Sequence, residues 1–229
     1  EAPALVNSSQ STVHRKSTVN SELTTDNYVL YVGAAYPHKN LPRLLEAWQI
    51  VHKDFPDHKL VLVGREDYFW KKLKEGRPHN SSQPPLTLRG GESSNVPPLK
   101  IRGGRGSYEN IIFYGPATDN ELAELYKNAA LLVQPSLEEG FSLPPLEALS
   151  FGTPAVVSDI PVHREILRDV AIFFNPHDHL ALANTVKAVL ADPLSKQRAE
   201  TQGKMLLSHF SWIQNAQKTL DLYLPAQKV

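Results

Sequence analysis

No cysteine occurs among the 229 residues, so disulfides, thiolate metal sites and a cysteine nucleophile are all excluded. That absence fits a reducing compartment, and a cytoplasmic protein is the expectation. Net charge is absent too, because 24 basic residues balance 24 acidic ones. A protein held to nucleic acid by a broad basic surface is therefore not expected. No apolar run approaches the roughly 20 residues that span a bilayer. The opening Glu1-Ala2-Pro3-Ala4 has neither the basic end nor the apolar core of a signal peptide. It also lacks an initiator Met, so the chain reads as a piece of something longer. What remains is 41% hydrophobic and 21% charged, the balance of a globular protein.

Residues 1–26 are polar and rich in Ser and Thr, and read as a lead-in or linker. From Tyr28 onward, apolar runs alternate with helical patterns. Strand runs are expected at Tyr28–Val32, Lys59–Val63, Asn110–Tyr114, Leu131–Val133, Pro154–Val157 and Val170–Phe174. Between them, apolar residues at 41, 44, 45, 48 and 51 share one helix face. Further helices are expected at Tyr68–Glu75, Asp119–Ala129, Pro144–Ser150 and Pro161–Arg168, and three more at 178–191, 194–208 and 212–223. Strands alternating with helices predict βαβ units and a parallel sheet, and strands apolar throughout should be covered on both faces. The expected fold is α/β, a Rossmann-like doubly wound sheet with C-terminal helices, spanning residues 27–224 with a tail at 225–229. Ligands of such folds bind beyond the carboxyl ends of the strands, which draws attention to the loops after Val32, Val63, Tyr114 and Val133.

One stretch breaks the pattern. In residues 78–107, Pro, Gly and Ser make up half, and Pro84–Gly91 recurs 13 residues later as Pro97–Gly104. Two copies are too few for a solenoid, so the stretch reads as a disordered insertion with no specific role.

The segment Glu138-Glu139-Gly140-Phe141-Ser142-Leu143-Pro144-Pro145-Leu146-Glu147-Ala148-Leu149 carries the most chemistry. It follows a strand and opens a helix. Prolines 144 and 145 suit a first helical turn, where an N–H has no intrahelical partner. The free N–H groups of Phe141, Ser142 and Leu143 then point toward the strand ends, as at helix N-termini that bind phosphate. Glu139 and Glu147 bracket the turn. A bare diphosphate would not favour two nearby acids, whereas a nucleotide sugar offers hydroxyls for them at both ends of its diphosphate. The residues alone also allow a plainer reading, in which Glu147 favours the helix dipole and Glu139 is a solvated loop acid.

The same segment closely resembles the E-x7-E motif of family-4 retaining glycosyltransferases, with seven residues between Glu139 and Glu147. The continuation Ala148–Asp159 is similar to that family as well, as are Tyr31-Val32-Gly33 with Pro37-His38-Lys39-Asn40, Phe173-Phe174-Asn175-Pro176 and Phe210-Ser211-Trp212. The likeness runs from about Tyr28 to Leu224, leaving out the insertion. It implies one half of a GT-B fold, the donor-binding half of a metal-independent hexosyltransferase. By that resemblance Glu139 lies by the donor sugar, Glu147 contacts the ribose, and Gly33 and Gly140–Leu143 line the donor. Lys39 neutralises the leaving diphosphate, where a cation lowers the barrier. The nucleotide diphosphate sugar is a co-substrate; no cofactor and no metal are implied. His163, His177 and His179 read as solvated surface histidines.

Two departures qualify the likeness. Many family members carry Arg directly after the first-strand glycine, and this chain has Ala34. Arg65, on the loop after the next strand, either replaces that cation or is a surface residue. The resemblance also implies an N-terminal acceptor-binding domain, which is expected to be missing from these residues. The last helices, with Trp212, Leu220, Leu222 and Tyr223, should then expose an apolar patch. Any peripheral membrane contact is expected only through the full-length enzyme. The alternative is a truncated, catalytically inactive nucleotide-sugar-binding module. A plain receiver or hydrolase domain would explain the topology but not the Glu139–Glu147 turn. The chain also lacks a Gly-x-Ser-x-Gly elbow and a Walker A loop.

Overall fold

Runs of β-branched and aliphatic residues become six strands in the computed structural model, which describes residues 23, 26–74 and 110–223. The strands are β1 (Tyr28–Val32), β2 (Lys59–Val63), β3 (Ile111–Gly115), β4 (Leu131–Gln134), β5 (Ala155–Ser158) and β6 (Ile172–Phe174). They form one sheet in the order β3-β2-β1-β4-β5-β6, and every pair is parallel. This is the expected Rossmann-like fold. The central strands are covered on both faces: Val29, Leu30, Leu60, Val61, Leu131, Leu132 and Val156 are fully buried. That is why their sequences are apolar throughout rather than alternating.

The helices are α1 (Leu41–Asp54), α2 (Tyr68–Lys74), α3 (Asp119–Asn128), α4 (Leu143–Ser150), α5 (Pro161–Leu167), α6 (His179–Leu190), α7 (Ser195–Leu207) and α8 (Trp212–Tyr223). Helix α1 buries Leu41, Leu44, Leu45, Trp48 and Val51, the face its spacing predicts, and packs against α6. Helix α3 begins with a capping box. Thr118 accepts from the Glu121 N–H while the Glu121 carboxylate accepts from the Thr118 N–H. Helix α4 packs on α7. Helix α8 has no buried residue, and Trp212, Ile213, Leu222 and Tyr223 are each at least 80% exposed. The apolar patch expected at the end of the chain is present.

Several boundaries differ from expectation by one residue, those of β3, β4 and β5 among them, and the start of β6 differs by two. Strand β6 starts at Ile172 rather than Val170, because α5 ends at Leu167 and a turn follows. Arg168 adopts a positive φ of 51° and the Val170 N–H donates to the Leu167 carbonyl. Helix α4 starts one residue early, at Leu143. The 78–107 insertion, the 225–229 tail and most of the 1–26 lead-in lie outside the described residues.

The sheet order places the site. The chain builds β1, β2 and β3 outward in one direction, then returns to lay β4 on the other side of β1. The loops leaving β1 and β4 therefore diverge to opposite faces and open a crevice between them.

Candidate functional site

Both walls of that crevice are fastened in place. On the β1 side, Gly33 has φ 152°, and a Cβ there would sit 2.9 Å from the Tyr31 hydroxyl. The Tyr31 hydroxyl itself donates to the Ala34 carbonyl at 2.6 Å. The loop then makes a short 3-10 turn, Pro37–Lys39, closed by Asn40 in the left-handed region at φ 58°. Asn40 is buried, and its amide donates to the carbonyls of Pro135 and Pro176 at 3.0 and 2.9 Å. The Leu137 N–H donates to the His38 carbonyl at 2.7 Å. One asparagine thus ties the β1 loop to the β4 loop and to the loop after β6.

These ties bring Lys39 against Glu139 across the crevice. The Lys39 ammonium donates to both carboxylate oxygens of Glu139 at 2.8 Å. Glu139 Oε1 also accepts from the Ser136 hydroxyl at 2.6 Å and from the Gln134 amide at 2.8 Å. The pair is largely enclosed, with the side chain of Lys39 17% exposed and that of Glu139 7%. Burial pushes the Glu139 pKa up, but the hydrogen bonds from Lys39, Ser136 and Gln134 and the Lys39 charge outweigh it. The carboxyl is held below its ordinary range. An ammonium has three N–H donors; two are engaged by Glu139, leaving one for a further acceptor.

Next along the chain, Ser142 precedes α4 in the left-handed region at φ 69°, ψ 72°. Among the described residues, the N–H groups of Gly140 to Leu143 make no hydrogen bond to another main-chain group. Together with the helix N-terminus, they form a place where an anion would be stabilised. Phe141 and Leu143 are exposed, and the Phe141 ring meets the edge of Phe210 at 6.0 Å between centroids. One turn into α4, Glu147 accepts from the Tyr126 hydroxyl at 2.6 Å. Tyr126 is buried and stacks on Phe151. Burial first, then the Glu147 bond and charge, push the Tyr126 hydroxyl pKa well above its ordinary value.

A family model described as glycosyl transferases group 1 matches residues 14–205. The chain belongs to that family. The chain is 30% identical over 173 residues to the O-antigen chain mannosyltransferase RfbU of Salmonella typhimurium, covering 75% of the chain and 41% of the relative. It is also 30% identical over 203 residues to the O-antigen chain mannosyltransferase B of Escherichia coli, covering 88% of the chain and 47% of the relative. The chain thus spans less than half the length of these curated relatives. In fold it is similar to a sucrose-phosphate synthase from Thermosynechococcus elongatus, with TM-score 0.66 and 23% identity over 91% of this chain and 48% of the other. TarM is similar at TM-score 0.64 and 18% identity, over 88% of this chain and 36% of the other.

Within the chain, the expected site residues divide. Lys39, Glu139, Gly33, Gly140, Phe141, Ser142, Leu143 and Glu147 all lie on the β1 and β4 loops or the start of α4. Arg65 lies exposed on the loop after β2 and is not among the partners of Glu139 or Glu147. His177 is exposed and the side chain of His179 is 37% exposed, but the expectation for His163 was wrong. It is fully buried, with Nδ1 2.8 Å from the Ser158 carbonyl and Nε2 3.0 Å from the Ser142 hydroxyl. Sequence reasoning also missed Gln134, Ser136, Asn40 and Tyr126. The sequence signal for the first two is that polar Gln134 and Ser136 follow closely on the apolar run Leu131–Val133, and both are buried. Among the described residues, no group of three or more His, Asp or Glu could hold a metal ion, and no helix is long and apolar enough to cross a membrane.

Proposed function

We propose that this chain binds a nucleotide diphosphate sugar in the crevice between the β1 and β4 loops. It would supply the donor-binding half of a retaining, metal-independent GT-B enzyme of the family-4 type, which transfers a hexose to an acceptor hydroxyl. The observation that carries this reading is the Lys39–Glu139 pair beside the N-terminus of α4, with Glu147 at the other end of the same turn.

Breaking the sugar–phosphate bond leaves its electron pair on the diphosphate. The remaining N–H of Lys39 and the amides of Gly140–Leu143, which have no main-chain partner among the described residues, stabilise that growing charge without reorganising. Glu139, already ionised and fixed by three donors, accepts hydrogen bonds from the sugar hydroxyls and orients the sugar. Glu147 holds the ribose. Two mannosyltransferase relatives favour a hexose, and TarM, a neighbour in fold, has been solved with UDP bound.

The test is thermal. A ligand that binds only the folded chain stabilises it by about 2.7 kcal/mol at a hundredfold excess over Kd. A millimolar panel of UDP-, GDP- and ADP-hexoses should therefore contain at least one that raises the melting temperature. No shift with any of them removes the donor site. Glu147→Ala should weaken binding of that nucleotide about tenfold, the cost of a lost charge-assisted hydrogen bond. Unchanged affinity removes the ribose assignment.

A further inference from the structure

The start of α4 carries an unusual arrangement. A serine before a helix ordinarily accepts a hydrogen bond from the N–H of the second or third helical residue. Here those residues are Pro144 and Pro145, which have no N–H. The Ser142 side chain makes no capping bond, and its hydroxyl lies 3.0 Å from His163 Nε2.

The direction of that bond follows from the other end of the ring. His163 Nδ1 is 2.8 Å from the Ser158 carbonyl, which can only accept, so Nδ1 carries the proton. A neutral ring then has a lone pair on Nε2, and the Ser142 hydroxyl donates to it. Full burial of the imidazole favours the neutral form. Burial lowers its pKa more than the Ser158 bond and the Glu139 charge raise it, and Lys39 lowers it further. The hydroxyl proton of Ser142 is therefore committed to His163, and the Ser142 N–H has no main-chain partner among the described residues.

Ser142 also sits in the left-handed region at φ 69°. That costs a serine roughly 1 kcal/mol or more and persists only when its surroundings hold it. The surroundings are one chain: β5 through Ser158, α5 through His163, then Ser142.

We propose that His163 is a positioning residue of the donor site, holding Ser142, and with it the Gly140–Leu143 turn, in the shape that aims its N–H groups at a diphosphate. This rests on the nucleotide-sugar reading above and adds a residue that touches no substrate. It acts through the backbone it fixes.

The experiment is a double-mutant cycle on the full 229-residue chain, titrated calorimetrically with UDP, GDP and their hexose esters. Ser142→Ala and His163→Phe should each weaken binding about fivefold to tenfold, the scale of one hydrogen bond. The double variant should be no weaker than either single one. Val189→Ala, in the remote contact of α6 with α1, should lower the melting temperature and leave affinity alone, so a loss of affinity is not mere destabilisation. If His163→Phe does not fold, Ser142→Ala carries the test, because it removes only the hydroxyl. Independently of any ligand, ¹⁵N spectra of the imidazole should show His163 as the neutral Nδ1–H tautomer. A charged ring or the Nε2–H tautomer at neutral pH would overturn the assignment. If Ser142→Ala and His163→Phe bind as the wild type does while Glu147→Ala does not, the positioning role falls and the donor site stands. If the wild type binds none of the probes, both fall.

Discussion

A single ion pair shows how much of the site is prepared by one residue's surroundings. Glu139 is enclosed, yet its acid is held below the ordinary range because Lys39, Ser136 and Gln134 all donate to it. Folding therefore favours the ionised form. The resulting stability is fully present above the unfolded carboxylate pKa of about 4.3, and is lost as pH falls through the lower folded value. In urea titrations across that window, Glu139→Gln should be less stable than the wild type near neutrality and decline less steeply with acid. Parallel curves would mean the pair contributes nothing. Tyr126 offers a second measurement. Tyr126→Phe keeps the stack on Phe151 but removes the side-chain donor that holds the Glu147 carboxylate. Nucleotide affinity should fall about threefold to tenfold, and the loss should vanish in a Glu147→Ala background. A loss that persists there would assign Tyr126 a role apart from Glu147.

At the scale of elements, the site depends on how α4 is seated. Gly203 of α7 lies against it, and a Cβ added there would meet the Leu149 carbonyl oxygen at 2.8 Å. Alanine would gain up to about 1 kcal/mol in helix propensity, but a backbone oxygen cannot rotate away as a side chain can. Helix α4 must shift, at roughly 1–3 kcal/mol of strain. Gly203→Ala should therefore lower the urea midpoint and weaken nucleotide binding together, since Glu147 lies on that helix and Ser142 immediately precedes it. A raised midpoint would show that the contact gives way easily. Elements of this kind were legible wherever a local pattern decides them. The face of α1 follows from five apolar positions, and Glu139, Glu147 and Lys39 sit in recognisable motifs. Asn40 and His163 were not legible, because their partners lie 95 and 136 residues away for Asn40 and 21 for the His163–Ser142 bond. A histidine on a short helix looks solvated until the sheet closes over it. The start of β6 was misjudged for a related reason: Val170 and Ala171 are apolar enough for a strand, but the turn through Arg168 takes them first.

For the molecule as a whole, the donor crevice and the last helix raise different questions. Trp212, Ile213, Leu220 and Tyr223 recur at helical spacing on one face of α8, and all are half exposed or more. Large apolar side chains gathered on one exposed face favour association. None of them is buried in the described chain, so replacing them should change its stability by less than about 0.5 kcal/mol. The chain should therefore self-associate at tens of micromolar, roughly the range that a few buried aromatic side chains can drive. Trp212→Ser with Tyr223→Ser should shift it toward monomer in sedimentation velocity, with the melting temperature and nucleotide affinity unchanged. A lower melting temperature in the double variant would mean that α8 contributes to this domain's own core. A chain that is monomeric at every concentration with the wild-type helix would show that the face does not drive self-association. The crevice and α8 share no residue, so affinity that tracked the oligomeric state would point to the Phe141–Phe210 contact, two residues before α8, as the coupling.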